Sequence, residues 1–96
     1  MLKADIRREA GDGVGRYVLA FEGVEAELTY TVVSPGVIRV DHTSVPPAWR
    51  GQGIADRLTW RMAKDARAEG LRVIPRCRYV VAWRKRHGDW ADVFAD

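Results

Sequence analysis

Cysteine is scarce: Cys77 is the one thiol in 96 residues. That excludes an internal disulfide and leaves no second thiol for a zinc knuckle. His42, Cys77 and His87 form no ligand pair at helical or knuckle spacing, so no metal site is expected. Long apolar runs are missing as well. Nothing approaches the roughly 20 residues of a bilayer-crossing helix, and Met1 to Arg8 holds no apolar signal core. A cytoplasmic chain without membrane contact is the expectation. Repeats, linkers and low-complexity segments are also lacking, so residues 1–96 read as a single domain. With 47% hydrophobic and 30% charged residues, the composition is globular and excludes a disordered chain.

Neither sign of charge dominates the whole, since 16 Lys and Arg face 13 Asp and Glu for a net +3. The halves differ. Residues 1–45 hold five basic and seven acidic side chains, whereas residues 46–96 hold eleven and six. A basic second half suggests an anionic partner, either nucleic acid or a phosphorylated small molecule.

The first half has the texture of strands. Ala4 to Glu9 is a plausible first strand, and the glycines between Gly11 and Gly15 make a turn. Arg16 to Phe21 is followed by a Glu22-Gly23 hairpin turn. From Val24 to Val32, apolar Val24, Ala26, Leu28, Tyr30 and Val32 alternate with Glu25, Glu27, Thr29 and Thr31, the period of a half-buried strand. After the Ser34-Pro35-Gly36 turn, Val37 to Thr43 forms a fourth strand. In simple alternation His42 shares the apolar face of Ile38 and Val40. Val45 then falls out of phase, which suggests either a bulge near Thr43-Ser44 or a strand ending at Thr43.

The second half reads as helix, strand, helix. Ile54 to Glu69 aligns Ala55, Leu58, Met62 and Ala66 on one stripe, with Gly70 as its stop. Leu71 to Pro75 is a short strand, parallel to the fourth because a helix connects them. Tyr79 to Arg86 suits a second helix that stops at Gly88. The expected fold is α+β or α/β: a four-stranded antiparallel meander, a helix, a fifth strand parallel to strand four, and a short helix.

The stretch Arg50-Gly51-Gln52-Gly53-Ile54-Ala55 sets two glycines between a strand and a helix N-terminus. There, unpaired N–H groups and the helix dipole favour a phosphate, and glycine lets it approach closely. A P-loop is excluded because Gly53 is followed by Ile54-Ala55 rather than Lys-Ser/Thr. A dinucleotide fingerprint is excluded because Asp56 stands where a third small residue is needed.

These six residues match the Gln/Arg-x-x-Gly-x-Gly/Ala signature of the GCN5-related N-acetyltransferases. From His42 to Phe94 the chain resembles a small stand-alone family of that superfamily. The matching pieces are His42-Thr43-x-Val45-Pro46, the 50–55 loop, Pro75-x-Cys77-x-Tyr79-Val80, and Arg86-His87 followed by Trp90. Two positions depart from the pattern: Arg78 replaces a small polar residue and Gly88 a proline. The resemblance implies an acetyl-coenzyme A-dependent N-acetyltransferase acting on a primary amine, with a peptide or protein as the candidate carrier of that amine. By the same resemblance, Gly51, Gln52, Gly53, Ile54 and Ala55 bind the pyrophosphate through their N–H groups. The Val45 backbone pairs with the pantetheine arm or the thioester carbonyl, and Arg50 meets remaining phosphate charge.

Three residues are candidates for the chemistry. Cys77, between Arg76 and Arg78 and before a helix, is placed to favour thiolate; it reads as a nucleophile, a proton donor or a neighbour of the coenzyme sulfur, against the bland alternative of a packed thiol. Tyr79 is a candidate acid for the leaving thiolate, against simple packing. His42, on a strand that leads to the loop, is a candidate base, against a core histidine. Arg57 and Arg84 read as solvated surface arginines or as phosphate partners. His87 reads as a helix-end cap. Two other functions stay open: a coenzyme A-binding protein without catalysis, and, more weakly, a nucleic-acid module using the C-terminal arginines with Trp83 and Trp90.

Overall fold

A computed structural model describes residues 4–95 of the chain. The strands are β1 (Ile6–Ala10), β2 (Val14–Phe21), β3 (Val24–Ser34), β4 (Val37–Ser44) and β5 (Arg72–Pro75), and the helices are α1 (Ile54–Glu69) and α2 (Arg78–Arg86). Short 3-10 segments cover Pro47–Trp49 and Gly88–Val93. The five strands form one sheet in chain order. β1 to β4 are antiparallel, and β5 adds to β4 in parallel through the α1 crossover. The expected order and strand directions hold, with ends shifted by a residue or two. β1, for example, starts at Ile6 and runs through Ala10.

Local chemistry accounts for the turns. Between β2 and β3, Glu22 and Gly23 both take positive φ, 51° and 78°, the geometry of a two-residue turn matched to strand twist. Gly70 ends α1 at φ 69°, donating its N–H to the Ala66 and Arg67 carbonyls.

One face of the sheet carries the core. Tyr17, Leu19, Ala26, Leu28, Tyr30, Ile38 and Val40 meet the α1 stripe of Ile54, Leu58, Met62, Ala63 and Ala66. From α2, Val80 and Trp83 complete the same cluster. Burial of this apolar surface is the main stabilising term for the domain. The second face of the sheet is left to charged side chains. Arg16 bridges Glu9, Glu25 and Glu27, and Arg7 bridges Glu9 and Glu25. An open groove of about 480 Å³ crosses this face from Val14 to Asp41, with Glu9, Arg16, Thr29 and Thr31 in its walls. No helix among the described residues is long and apolar enough to cross a membrane.

Candidate active site

The glycine loop has the conformation that its sequence demands. After β4, the chain makes the Pro47–Trp49 turn, with Arg50 donating to the Pro47 carbonyl. Gly51 and Gly53 then take φ values of 84° and 73°, in the left-handed region that side-chain-bearing residues avoid. A Cβ built on either would meet no atom within 4 Å. Packing therefore does not require these glycines; the backbone conformation does, and it leaves open space in front of the loop. Gly53 is the N-cap of α1 and supplies no side-chain cap. Arg50 is exposed at the start of the loop. A loop with open space at both glycines, set at a helix N-terminus, fits a phosphate-bearing group.

Beside the loop, β4 and β5 part. Their ladder ends at Val40↔Pro75, whereas β4 continues against β3 to Ser44. At the fork the Val40 carbonyl accepts two N–H groups, from Arg76 and Cys77, each at 3.1 Å. The β4 edge beyond it is thus left outside the β5 ladder, and it leads through half-buried Val45 towards the loop.

A bulge sits at the same point, but at Asp41 rather than at Thr43-Ser44. Tyr30 pairs with Val40 and Thr29 with His42, so Asp41 is the extra residue. Polar contacts on the charged face hold it out. Asp41 accepts from the Thr31 hydroxyl and from Arg39 Nε, both at 2.6 Å. Burial pushes the Asp41 carboxyl up, but Thr31 and Arg39 outweigh it and keep the pKa below its ordinary value.

The bulge corrects the expectation for His42. The strand changes phase, and His42 is exposed on the charged face rather than sharing the face of Ile38 and Val40. Thr43 turns inward instead, in register with Leu28. Simple alternation failed here because one unpaired residue reverses every side chain that follows it.

Cys77 lies across the fork from Thr43. It is half-buried and is the N-cap of α2 in extended conformation, with no side-chain cap bond. Its Sγ lies 3.3 Å from Thr43 Oγ1. Tyr79, in the first turn of α2, is half-buried against the core. Burial first, and then the Asp56 charge, raise its phenol above the ordinary value, while Arg86 opposes the shift. Asp56 itself accepts from Trp83 Nε1 at 2.9 Å, which ties the first turn of α1 to α2.

The structure therefore gathers the loop, Val45, Cys77 and Tyr79 around one end of the sheet, and sets His42 on the other sheet face. Thr43 and Asp56 were not singled out from sequence. In sequence, Thr43 is part of the His42-Thr43-x-Val45-Pro46 element, and Asp56 breaks a dinucleotide fingerprint.

Other candidates are engaged elsewhere. Arg57 donates to the Ala4 carbonyl at 2.6 Å, and Arg84 lies over the Phe94 ring and reaches the Ala95 carbonyl. His87 stacks on Trp83 with ring centroids 4.1 Å apart. Trp83 is fully buried, and Arg67 covers Trp90 at 3.6 Å. The C-terminal arginines thus have neither indole as an open stacking platform, which removes the main support for a nucleic-acid module. Among the described residues, no group of His, Cys, Asp and Glu is placed to hold a metal ion.

The model of the GCN5-related N-acetyltransferase family matches residues 16–93. The chain belongs to that family. Its fold also matches the NMR solution structure of a GCN5-like candidate N-acetyltransferase from Staphylococcus aureus, with a TM-score of 0.71 and 25% sequence identity. The alignment covers 99% of this chain and 91% of that one. A search of curated proteins returns no match. The glycine loop and the β4–β5 fork both lie within the matched residues.

Proposed function

We propose that this acetyltransferase takes acetyl-coenzyme A as donor and passes the acetyl group to a primary amine on a peptide or protein. The observation that carries this reading is that the left-handed Gly51–Gly53 loop and the β4–β5 fork lie at one end of the sheet. The N–H groups from Gly51 to Ala55 would hold the pyrophosphate, with Arg50 at its edge. The β4 edge at Val45 would receive the pantetheine arm as an added strand-like partner.

When bound, the donor supplies a thioester whose carbonyl carbon accepts an amine and whose sulfur departs. The chain's own residues then divide the proton work. Exposed His42 removes the proton from an amine that reaches the bulge from the charged face. Tyr79, held protonated by burial and by Asp56, returns a proton to the departing sulfur. Cys77 and Thr43 stand at the acyl end of the fork, 3.3 Å apart.

An extended acceptor suits the groove from Val14 to Asp41. It is open along its length, and its Asp41 end adjoins His42 on the bulge. The test is to incubate the protein with acetyl-coenzyme A and a panel of peptide amines, then measure acetylated product and the mass of the chain. Product formation with an unmodified chain supports direct attack, and an added acetyl mass on Cys77 supports a relay through the thiol. Binding without product on any amine would favour a coenzyme-binding protein instead.

A further inference from the structure

Asp56 is a surprising residue at a loop read as binding phosphate. It is the acid in the first turn of α1. A carboxylate there gains from the helix dipole, yet it competes with any outside anion for the same field. The structure fixes where that charge goes. The Asp56 carboxylate accepts from the Trp83 indole at 2.9 Å. Trp83 is fully buried and is braced by Trp60 and His87, with ring centroids at 5.1 and 4.1 Å. The donor is therefore packed on two sides. Tyr79 precedes Trp83 by four residues on α2, the spacing that puts both on one helix face.

We infer that Asp56, held by Trp83, is a positioning residue of the acetyl-transfer site: its charge is tied to α2, on the helix face that Trp83 shares with Tyr79, rather than left free to turn to the α1 amides that would receive the pyrophosphate. This inference rests on the coenzyme reading given above. Two effects follow. First, the carboxylate is kept from folding over its own helix N-terminus, which stays open for an anion. Second, the charge acts on the Tyr79 phenol, opposed by Arg86 from the same helix, whose guanidinium lies 5.7 Å from the ring centroid. A negative neighbour disfavours phenolate, so removing it lowers the pH at which Tyr79 ionises.

Asp56→Asn keeps an oxygen for the indole N–H and removes the charge. Phenolate absorbance, with Tyr79→Phe subtracted to assign the transition, is expected to move down by at least about half a pH unit. Coenzyme A binding is expected to tighten about fivefold at low salt, with the gain fading as salt rises. Trp83→Phe frees the carboxylate and weakens coenzyme A binding about fivefold, and adding Asp56→Asn to it restores binding. A purely structural bond would instead make the double variant at least as weak as the single one. An unchanged phenolate transition in Asp56→Asn, together with no rescue in the double variant, overturns the inference. If the unaltered protein binds no coenzyme A while the Tyr79 transition still moves, the pairing of Asp56 with Tyr79 stands and the coenzyme reading falls.

Discussion

Thr43 Oγ1 and Cys77 Sγ lie 3.3 Å apart across the fork where β5 leaves β4. They are 34 residues apart in the chain. Their contact depends on the Asp41 bulge, because without the extra residue Thr43 would face the other way.

Cys77→Ala should therefore separate chemistry from binding. The thiol is only half-buried, so its loss is expected to cost about 1 kcal/mol of stability or less. Acetyl transfer is expected to fall by at least about tenfold, while coenzyme A affinity stays within about twofold. Steady-state rates beside calorimetric binding check this. Full transfer by Cys77→Ala would remove the thiol from the mechanism.

The two loop glycines give a different pattern. Gly53→Ala puts a side chain at φ 73°, which costs about 1 kcal/mol in the folded state. The new methyl meets no protein atom and points into the space in front of the loop. Coenzyme A affinity should drop by about tenfold or more, far beyond the effect on stability. Urea denaturation and titration calorimetry on the same sample separate the two.

Much of the fold was legible in the sequence because its signals are local. The Val24–Val32 alternation, the Glu22-Gly23 turn and the Gly70 stop each report on a few neighbouring residues, and each is found in the structure. The glycine loop was legible for the same reason: strand, two glycines and helix follow one another in the chain. His42 was misplaced because its phase depends on a bulge fixed by Asp41, Thr31 and Arg39, and Thr31 lies on another strand. The Asp56–Trp83 bond joins residues 27 apart in the chain, one on each helix, and no pattern near either residue announces it.

Gly15 offers a check on the core. A Cβ there would fall 2.3 Å from the Tyr30 ring, whose hydroxyl accepts from Arg8 Nε. Tyr30 is buried and cannot yield without disturbing Tyr17, its ring neighbour at 5.9 Å. Gly15→Ala is expected to destabilise by about 1–3 kcal/mol, as overpacking does, with little change in coenzyme affinity. Urea midpoints of the two proteins decide it.

Stability should also decline in alkali through Tyr17. Its phenol is buried and donates to Asp65 at 2.9 Å. Burial, and then that hydrogen bond, raise its pKa above the ordinary value. The folded state therefore holds the proton more tightly than the unfolded chain does. Its contribution is complete below the unfolded pKa of about 10 and is lost as pH rises above it. Tyr17→Phe is expected to cost about 1 kcal/mol at neutral pH and to flatten the alkaline decline. Melting temperatures across pH in both proteins check the sign.

The most direct test is a titration of coenzyme A into isotope-labelled protein, followed by backbone amide shifts in NMR spectra. Saturable shifts at Gly51, Gly53, Ile54 and Ala55, with a second set from Asp41 to Val45 and at Cys77, are the expected result. No shift at millimolar coenzyme A in a folded sample, or shifts confined to residues away from the loop and the fork, would contradict the account.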